Sequence, residues 1–339
     1  MYFQELIYLM ISILFTLFVT DHYVKWWITR AHYIGLVGRD MNKKDNVLVA
    51  EAGGVWVIFG TALGLLVLTA LYTYLSKTDK FLKDHLALTL LLFMTSFLGF
   101  LDDILGWKKG VRILYRVILM IPLSIPLVVI KTGVSKIAVP FIGTLDLGLI
   151  YPLLLVPIGI MGASNAFNMI AGYNGLETVQ GLILLGYTAL FSLIRNIPIV
   201  FNASLIMISA LIVFLKYNWY PAKVFPGNSL TYGVGAYYAS LVIIGNFEKF
   251  GLLLFTLYFL EFILFIRGLK NRVYKENFGK IREDGYLDLP YDKIYSLTHF
   301  AIKLQLIIKG RASEKGVVYT IALLQLIIGL IALILIKYI

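Results

Sequence analysis

The sequence has no cysteine and only four histidines in 339 residues. The first absence excludes disulfides, thiolate metal sites and a cysteine nucleophile, and is silent on compartment. The histidines, His22, His32, His85 and His299, show no metal-ligand spacing, so solvated or capping roles are their default. Charge is scarce as well: Asp, Glu, Lys and Arg make up 14% of the chain against 60% apolar residues, and the mean hydropathy is +0.85. A soluble domain could not cover its surface with so little charge, so the class is an integral membrane protein. Sequence repeats, low-complexity tracts and a separate soluble domain are also missing.

What is present is a series of apolar runs. Ten of them approach the roughly 20 residues that cross a bilayer, near 3–20, 52–75, 86–102, 113–131, 148–164, 177–194, 199–216, 230–246, 250–267 and 317–336. The expected fold is an all-α integral membrane protein: one polytopic domain over residues 1–339 with about ten transmembrane helices. The first run has no basic residue before it and no small-residue cleavage site behind it, the pattern of a retained helix and not of a signal peptide. The run at 230–246 is rich in Gly, Ser and Tyr and is expected to face protein instead of lipid. Most of the 30 Lys and Arg follow the first, third, seventh and ninth runs. The positive-inside rule puts those segments, including the loop at about 268–316, in the cytoplasm and both termini outside. Basic loops beside anionic lipids then account for the net charge of +11 without a nucleic-acid partner.

Every polar island falls on that same side, which points to one active site on the cytoplasmic face. Residues 165–177, NAFNMIAGYNGLE, lie between apolar runs yet carry Asn165, Asn168, Asn174 and Glu177. Lipid offers these side chains nothing, so they need water, protein, a metal or a ligand. Asn165 and Asn168 share a helix face, and their carbonyl oxygens could converge on one cation or one sugar. Gly172 and Gly175 bracket Asn174 and tolerate close approach of a ligand. A helix C-cap and turn would explain Gly172 and Asn174 but not Asn168 or Glu177, so a site is preferred.

Asp102 and Asp103 end an otherwise apolar helix, with Lys108, Lys109 and Arg112 following. Adjacent carboxylates point to different helix faces. That suits one metal- or phosphate-facing group plus one structural or base group better than a symmetric clamp. A charge-balanced helix end is the plain alternative. Glu51 opens the second helix and is either a binding group or a favourable charge at a helix N-terminus. Asn228, in YPAKVFPGN, is either a site amide or, with Ser229, an N-cap. Arg272, Lys275, Lys280 and Arg282 in the long loop read as an anionic-lipid contact or as a phosphate or nucleotide clamp.

In order and spacing, GRDMNKKDNVLVAEAGGV, GFLDDILGW, NAFNMIAGYNGLE and YPAKVFPGN resemble the polyprenyl-phosphate N-acetylhexosamine-1-phosphate transferases, over nearly the whole chain. GRDMNK, NAFNMIAGYNGLE and the tail GYLDLPY are similar to the dolichyl-phosphate GlcNAc-1-phosphate transferases of N-glycosylation, in an archaeal-type form. The resemblance implies transfer of N-acetylglucosamine 1-phosphate from UDP-N-acetylglucosamine (UDP-GlcNAc) to a polyprenyl or dolichyl phosphate, with release of UMP. It implies Mg2+, or Mn2+ in its place, on the sugar-nucleotide diphosphate. It makes Asp102 and Asp103 the paired catalytic carboxylates and Asn168 a metal ligand, and it assigns Gly172, Asn174 and Glu51 to the uridine pocket. Asn165 and Glu177 join the substrate-binding set.

The chain departs from that pattern in three places. Where the family usually has a metal-binding Asp, this chain has Asn228, a neutral amide at the ion. The basic residue after the paired Asp is often Lys in the family, and Arg112 is the nearest candidate here. A His- and Arg-rich motif in the last cytoplasmic loop is absent, which leaves Arg272, Lys275, Lys280 and Arg282 as stand-ins for the N-acetyl and phosphate contacts. The implied setting is the bilayer of a cell membrane for an archaeal chain, or of the endoplasmic reticulum for a eukaryotic one, with a homodimer allowed.

Two other readings compete. A transporter of an anionic solute could gather Asn, Asp and basic groups near broken helices, but the islands lie at one membrane border and no polar path runs through the first, fourth, sixth or tenth runs. A CDP-alcohol phosphotransferase would need a DGxxAR signature, which is missing. A transferase for another UDP-N-acetylhexosamine differs from the main reading only in the sugar.

Overall fold

A backbone in lipid can satisfy its polar groups only within its own helix, and the long apolar runs accordingly become helices. The computed structural model describes residues 3–105, 113–139 and 143–335. In chain order its helices are α1 (Phe3–Ile34), α2 (Gly54–Leu75), α3 (Leu82–Leu105), α4 (Ile113–Met120), α5 (Ile125–Val129) and α6 (Val156–Met169). They continue with α7 (Leu176–Ile194), α8 (Pro198–Asn218), α9 (Gly227–Ile244), α10 (Glu248–Leu254), α11 (Thr256–Lys270), α12 (Leu297–Lys309) and α13 (Glu314–Ile334).

Among the described residues, seven helical segments are long and apolar enough to cross a membrane: α1, α2, α3, α6 with the π-helical turn Tyr151–Leu155 before it, α7, α8 and α13. Helices α10 and α11, bent by 57° at Phe255, make an eighth if they form one crossing. That is fewer than the ten runs in the sequence, for identifiable reasons. The run at 113–131 is divided at Pro122 and Pro126, each lacking a backbone N–H, into α4, the 3-10 turn Pro122–Ser124 and α5. Helix α9 carries Gly, Ser, Thr and Tyr among its aliphatics. It is sheathed by protein, with Tyr232 and Tyr237 fully buried, as its composition suggested.

The expectation of purely helical structure misses three antiparallel hairpins. They pair β1 (Val37–Arg39) with β2 (Leu48–Ala50), β3 (Lys136–Val139) with β4 (Gly143–Asp146), and β5 (Lys280–Ile281) with β6 (Leu287–Asp288). The loop at 268–316 also contains α12, started by Ser296, whose side chain accepts from Thr298 N. The first hairpin is tied down at long range, since Phe225 N donates to Ala50 O at 2.7 Å just ahead of α9.

Helix α9 sits against α2, α3 and α6. Its approach to α3 depends on Gly99, where an added Cβ would lie 2.4 Å from Asn228 O. Small residues at such crossings let two backbones meet where lipid provides no hydrophobic drive. The outer helices turn Leu14, Phe18, Leu193 and Leu330 outward, the surface expected of a bundle solvated by lipid.

Candidate active site

The C-terminal ends of α3 and α6 and the N-terminal end of α9 meet at one end of the bundle, around a cavity of about 1150 Å³. Helix α3 contributes Asp102 and Asp103, α6 contributes Asn168, and α9 contributes Asn228 and Thr231. The turn between α6 and α7 adds Gly172 and Asn174, and the first turn of α7 adds Glu177. Arg39 and Asp40 enter from the first hairpin, with Glu51 just behind it. Residues 274–278 close the opposite wall.

At the centre, Asp102 is nearly buried, and its Oδ2 accepts from Asn228 Nδ2 at 2.8 Å and from the Tyr232 hydroxyl at 3.4 Å. Asn168 Oδ1 accepts from the Thr231 hydroxyl at 2.9 Å. One turn of α9 therefore spaces Asn228 and Thr231 so that one meets α3 and the other α6. Asp103 faces the main chain: its Oδ1 accepts from Asn228 N at 2.6 Å and its Oδ2 from Ser229 N at 3.1 Å. Asn228 is thus not the N-cap of α9; Pro226 occupies that position and has no side-chain cap bond.

Asn174 is held from two sides. Its Nδ2 donates to Asp40 Oδ2 at 3.0 Å and its backbone N to Glu314 Oε1 at 3.0 Å, while Lys43 bridges Asp40 and Glu314. Glu177 Oε1 accepts from Gly172 N at 2.9 Å; Glu177 Oε2 is buried with no hydrogen-bond donor among the described residues. The opposite wall hangs on α11. There the buried Glu261 pairs with Lys275 and accepts from Ser296 Oγ at 3.0 Å and Leu297 N at 2.7 Å. Lys275 and Asn277 in turn donate to Met169 O at the end of α6. Burial pulls Lys275 below the ordinary lysine pKa range, opposed by Glu261. His299 Nε2 donates to Glu276 O at 2.9 Å, and burial depresses its pKa to about 4, so it is a neutral brace of this wall.

Residues 85–246 match the glycosyl transferase family 4 profile. A protein of Saccharolobus solfataricus, provisionally named UDP-N-acetylglucosamine–dolichyl-phosphate N-acetylglucosaminephosphotransferase, is 34% identical over 98% of each chain. A protein of Sulfolobus acidocaldarius with the same provisional name is 31% identical over 97% of each. The chain belongs to glycosyl transferase family 4. Phospho-N-acetylmuramoyl-pentapeptide-transferase of Petrotoga mobilis is 32% identical over 72% of this chain and 76% of its own. The segment matching the family profile contains the α3, α6 and α9 parts of the cavity. The first hairpin, Glu51 and residues 274–278 lie outside it.

Within this family member the residues singled out in the sequence separate into two groups. Glu51, Asp102, Asp103, Asn168 and Gly172 line the cavity, as do Asn174, Glu177, Asn228 and Lys275. Asn165 does not: its Nδ2 donates to Met161 O and to Met120 Sδ, both at 2.9 Å, away from Asn168 and its partner Thr231. Arg272, Lys280 and Arg282 are not in the wall either. Arg272 is exposed in the turn after α11, Lys280 is exposed on β5, and Arg282 pairs with Asp284 at 3.4 Å on the surface. Arg112 lies outside the described residues. Arg39 and Asp40 were noted in the sequence only as part of the GRDMNK stretch, and Thr231, Asn277 and the braces Glu261 and Glu314 were not singled out. Glu261 had a visible signal, a carboxylate inside an apolar run.

Glu51 is not the cap of α2, which starts at Gly54 behind an uncapped Gly53. Its carboxylate lies against Gly38, where an added Cβ would come within 1.9 Å of Oε1. Burial, with Asp103 nearby, pushes its pKa up to about 7. An acid whose folded-state pKa is raised favours folding while it is neutral, and that contribution fades as pH rises from about 4.5 through about 7. Glu51→Gln stays neutral throughout. The apparent Tm of the detergent-purified wild type should therefore fall more between pH 5 and pH 8 than that of the variant. Parallel curves would remove Glu51 as the cause.

Proposed function

We propose that this chain transfers N-acetylglucosamine 1-phosphate from UDP-GlcNAc to a polyprenyl (dolichyl) phosphate. The acceptor's phosphate oxygen forms a bond to the β-phosphorus, the bond from that phosphorus to UMP breaks, and polyprenyl-diphosphate-GlcNAc remains in the bilayer. The observation that carries the reading is the convergence of Asp102, Asn168 and Asn228, from three helices, on one cavity at one end of an apolar bundle. A water-borne nucleotide sugar and a lipid-borne phosphate can meet at such a place. The names of the full-length relatives support the same substrates, and nothing in them favours a transporter.

Phosphoryl transfer asks mainly for alignment and charge neutralisation. The acceptor phosphate is already an anion near neutral pH, so a strong base is not required. Asn228 and Tyr232 fix the direction of the Asp102 carboxylate, and Thr231 fixes Asn168 Oδ1. Arg39, a cavity cation with no ion pair among the described residues, suits the substrate diphosphate or the acceptor phosphate. The unpartnered Glu177 oxygen suits a hydrogen-bond donor of the nucleotide.

Mg2+, with Mn2+ as its substitute, fits this donor set. Asp102 and Asn168 offer hard oxygens, and no cluster of three or more His, Cys, Asp or Glu able to hold an ion occurs among the described residues. The ion would take its remaining ligands from the diphosphate, whose charge it would neutralise when bound. Asn228 supplies no negative charge, and its amide nitrogen already donates to Asp102. Asn228→Asp adds a charge there and should lower the Mg2+ concentration for half-maximal activity at saturating UDP-GlcNAc; superimposable titrations would take Asn228 out of the ion's surroundings.

Counting α9 and the α4–α5 segment as crossings, together with the eight that include the bent pair, supports ten crossings. The loop charges support both termini outside and the cavity in the cytoplasm. The archaeal sources of the full-length relatives support the cell membrane as its location. Lys280→Cys tests the sidedness cleanly in a chain without cysteine: an impermeant thiol reagent should label it only after cells are opened, and labelling of intact cells would overturn the orientation. The direct test of function is UMP release from UDP-GlcNAc that depends on added polyprenyl phosphate.

A further inference from the structure

The two adjacent carboxylates do not face the same partners. Asp102 meets side chains, Asn228 and Tyr232, across the cavity. Asp103 spends one oxygen on each of two consecutive main-chain N–H groups, those of Asn228 and Ser229. These are N–H groups of the first turn of α9, which no preceding residue in a helix can satisfy. The helix has no side-chain cap of its own, because its N-cap position is Pro226. Gly227, at φ +68°, leaves the space in which the Asp103 carboxylate lies, since a Cβ there would come within 2.3 Å of Asp103 Oδ2. Asp103 is therefore an N-cap supplied in trans by α3.

We infer that Asp103 is a positioning residue: by capping α9 from α3 it sets Asn228 against Asp102 and Thr231 against Asn168, and it takes no part in bond making. Two neighbouring acids then have unlike duties because adjacent side chains leave a helix in different directions. Asp103 points along α3 toward the start of α9, and Asp102 points into the space between α3, α6 and α9. The role assignment within catalysis rests on the transferase reading above; the capping role does not.

The test compares Asp103→Asn, Asp103→Ala and Asp102→Asn in detergent-purified full-length protein, measuring kcat, KM, the pH profile of kcat, and apparent Tm without substrate. Asparagine keeps one acceptor oxygen for the helix end, so Asp103→Asn should hold kcat within about tenfold of wild type with an unshifted pH profile. Asp103→Ala leaves both N–H groups bare. It should lower kcat about a hundredfold, the scale of a displaced site, and lower apparent Tm by about 2–4 °C relative to Asp103→Asn. Equal inactivity of the Asn and Ala variants would overturn the positioning role and return Asp103 to the chemistry. An unchanged Tm for Asp103→Ala would overturn the cap. If wild-type protein turned over no UDP-sugar, the transferase reading would fail while the Tm comparison still decided the cap.

Discussion

Asp102→Asn should lower the rate of UMP release by at least about two orders of magnitude, the usual scale for losing a preorganised charge at a phosphoryl-transfer centre. The reason lies in how the carboxylate is held. Asn228 Nδ2 and the Tyr232 hydroxyl both donate to one of its oxygens, so its negative charge is aimed before substrate arrives. An asparagine of the same shape can accept from both donors through its one carbonyl oxygen but carries no charge to neutralise a cation. The fold should survive, because asparagine has the shape of aspartate and its carbonyl oxygen can accept from the same two donors. Single-turnover UMP release and apparent Tm on the same preparation check both halves; wild-type turnover would end the catalytic role of Asp102.

The second large effect is expected outside the sequence motifs, at Glu261. This buried carboxylate pairs with Lys275, accepts from Ser296 Oγ and Leu297 N, and so joins α11, the cavity wall at 274–278 and the start of α12. Glu261→Ala leaves the Lys275 ammonium buried and unpaired and strips α12 of an acceptor at its first turn. Breaking a buried pair on one side typically costs about 3–5 kcal/mol. For a chain of this size that corresponds to an apparent Tm lower by on the order of 10 °C. The double variant Glu261→Gln, Lys275→Met removes both charges and should recover most of the loss. A single variant that melts with the wild type would show that the wall is held by something else.

The positions of the long helices were legible because apolarity over about 20 residues is a local property. The protein-facing character of α9 was legible from its Gly, Ser and Tyr for the same reason. The short hairpins were not, since such short strands carry little pattern and β2 is fixed by Phe225, far along the chain. Helix α12 escaped notice because its buried stripe of Leu297, Ala301, Ile302 and Gln305 is interrupted by basic residues on the opposite face. Asn165 and Asn168 show the limit of reasoning from a helix face. Three residues of offset bring them to different neighbours, Met120 from α4 and Thr231 from α9. The basic residues of the last loop gave a similar result: Lys275 reaches the cavity because Glu261 draws it inward, and Lys280 and Arg282 lie on a solvent-facing hairpin. Which acid of the Asp102–Asp103 pair meets a main chain and which meets side chains is decided by α9, and no local pattern around α3 encodes that.

The central claim is that the cavity joins a nucleotide sugar to a lipid phosphate. Radiolabel transfer from a panel of UDP-sugars into lipid extract by the purified protein, with a polyprenyl phosphate and Mg2+ supplied, tests it most directly. The account predicts label in the lipid phase from UDP-GlcNAc, released UMP in equal amount, and loss of both when the polyprenyl phosphate is left out. Label that stays in the aqueous phase for every UDP-sugar, or UMP release that ignores the lipid acceptor, would contradict it.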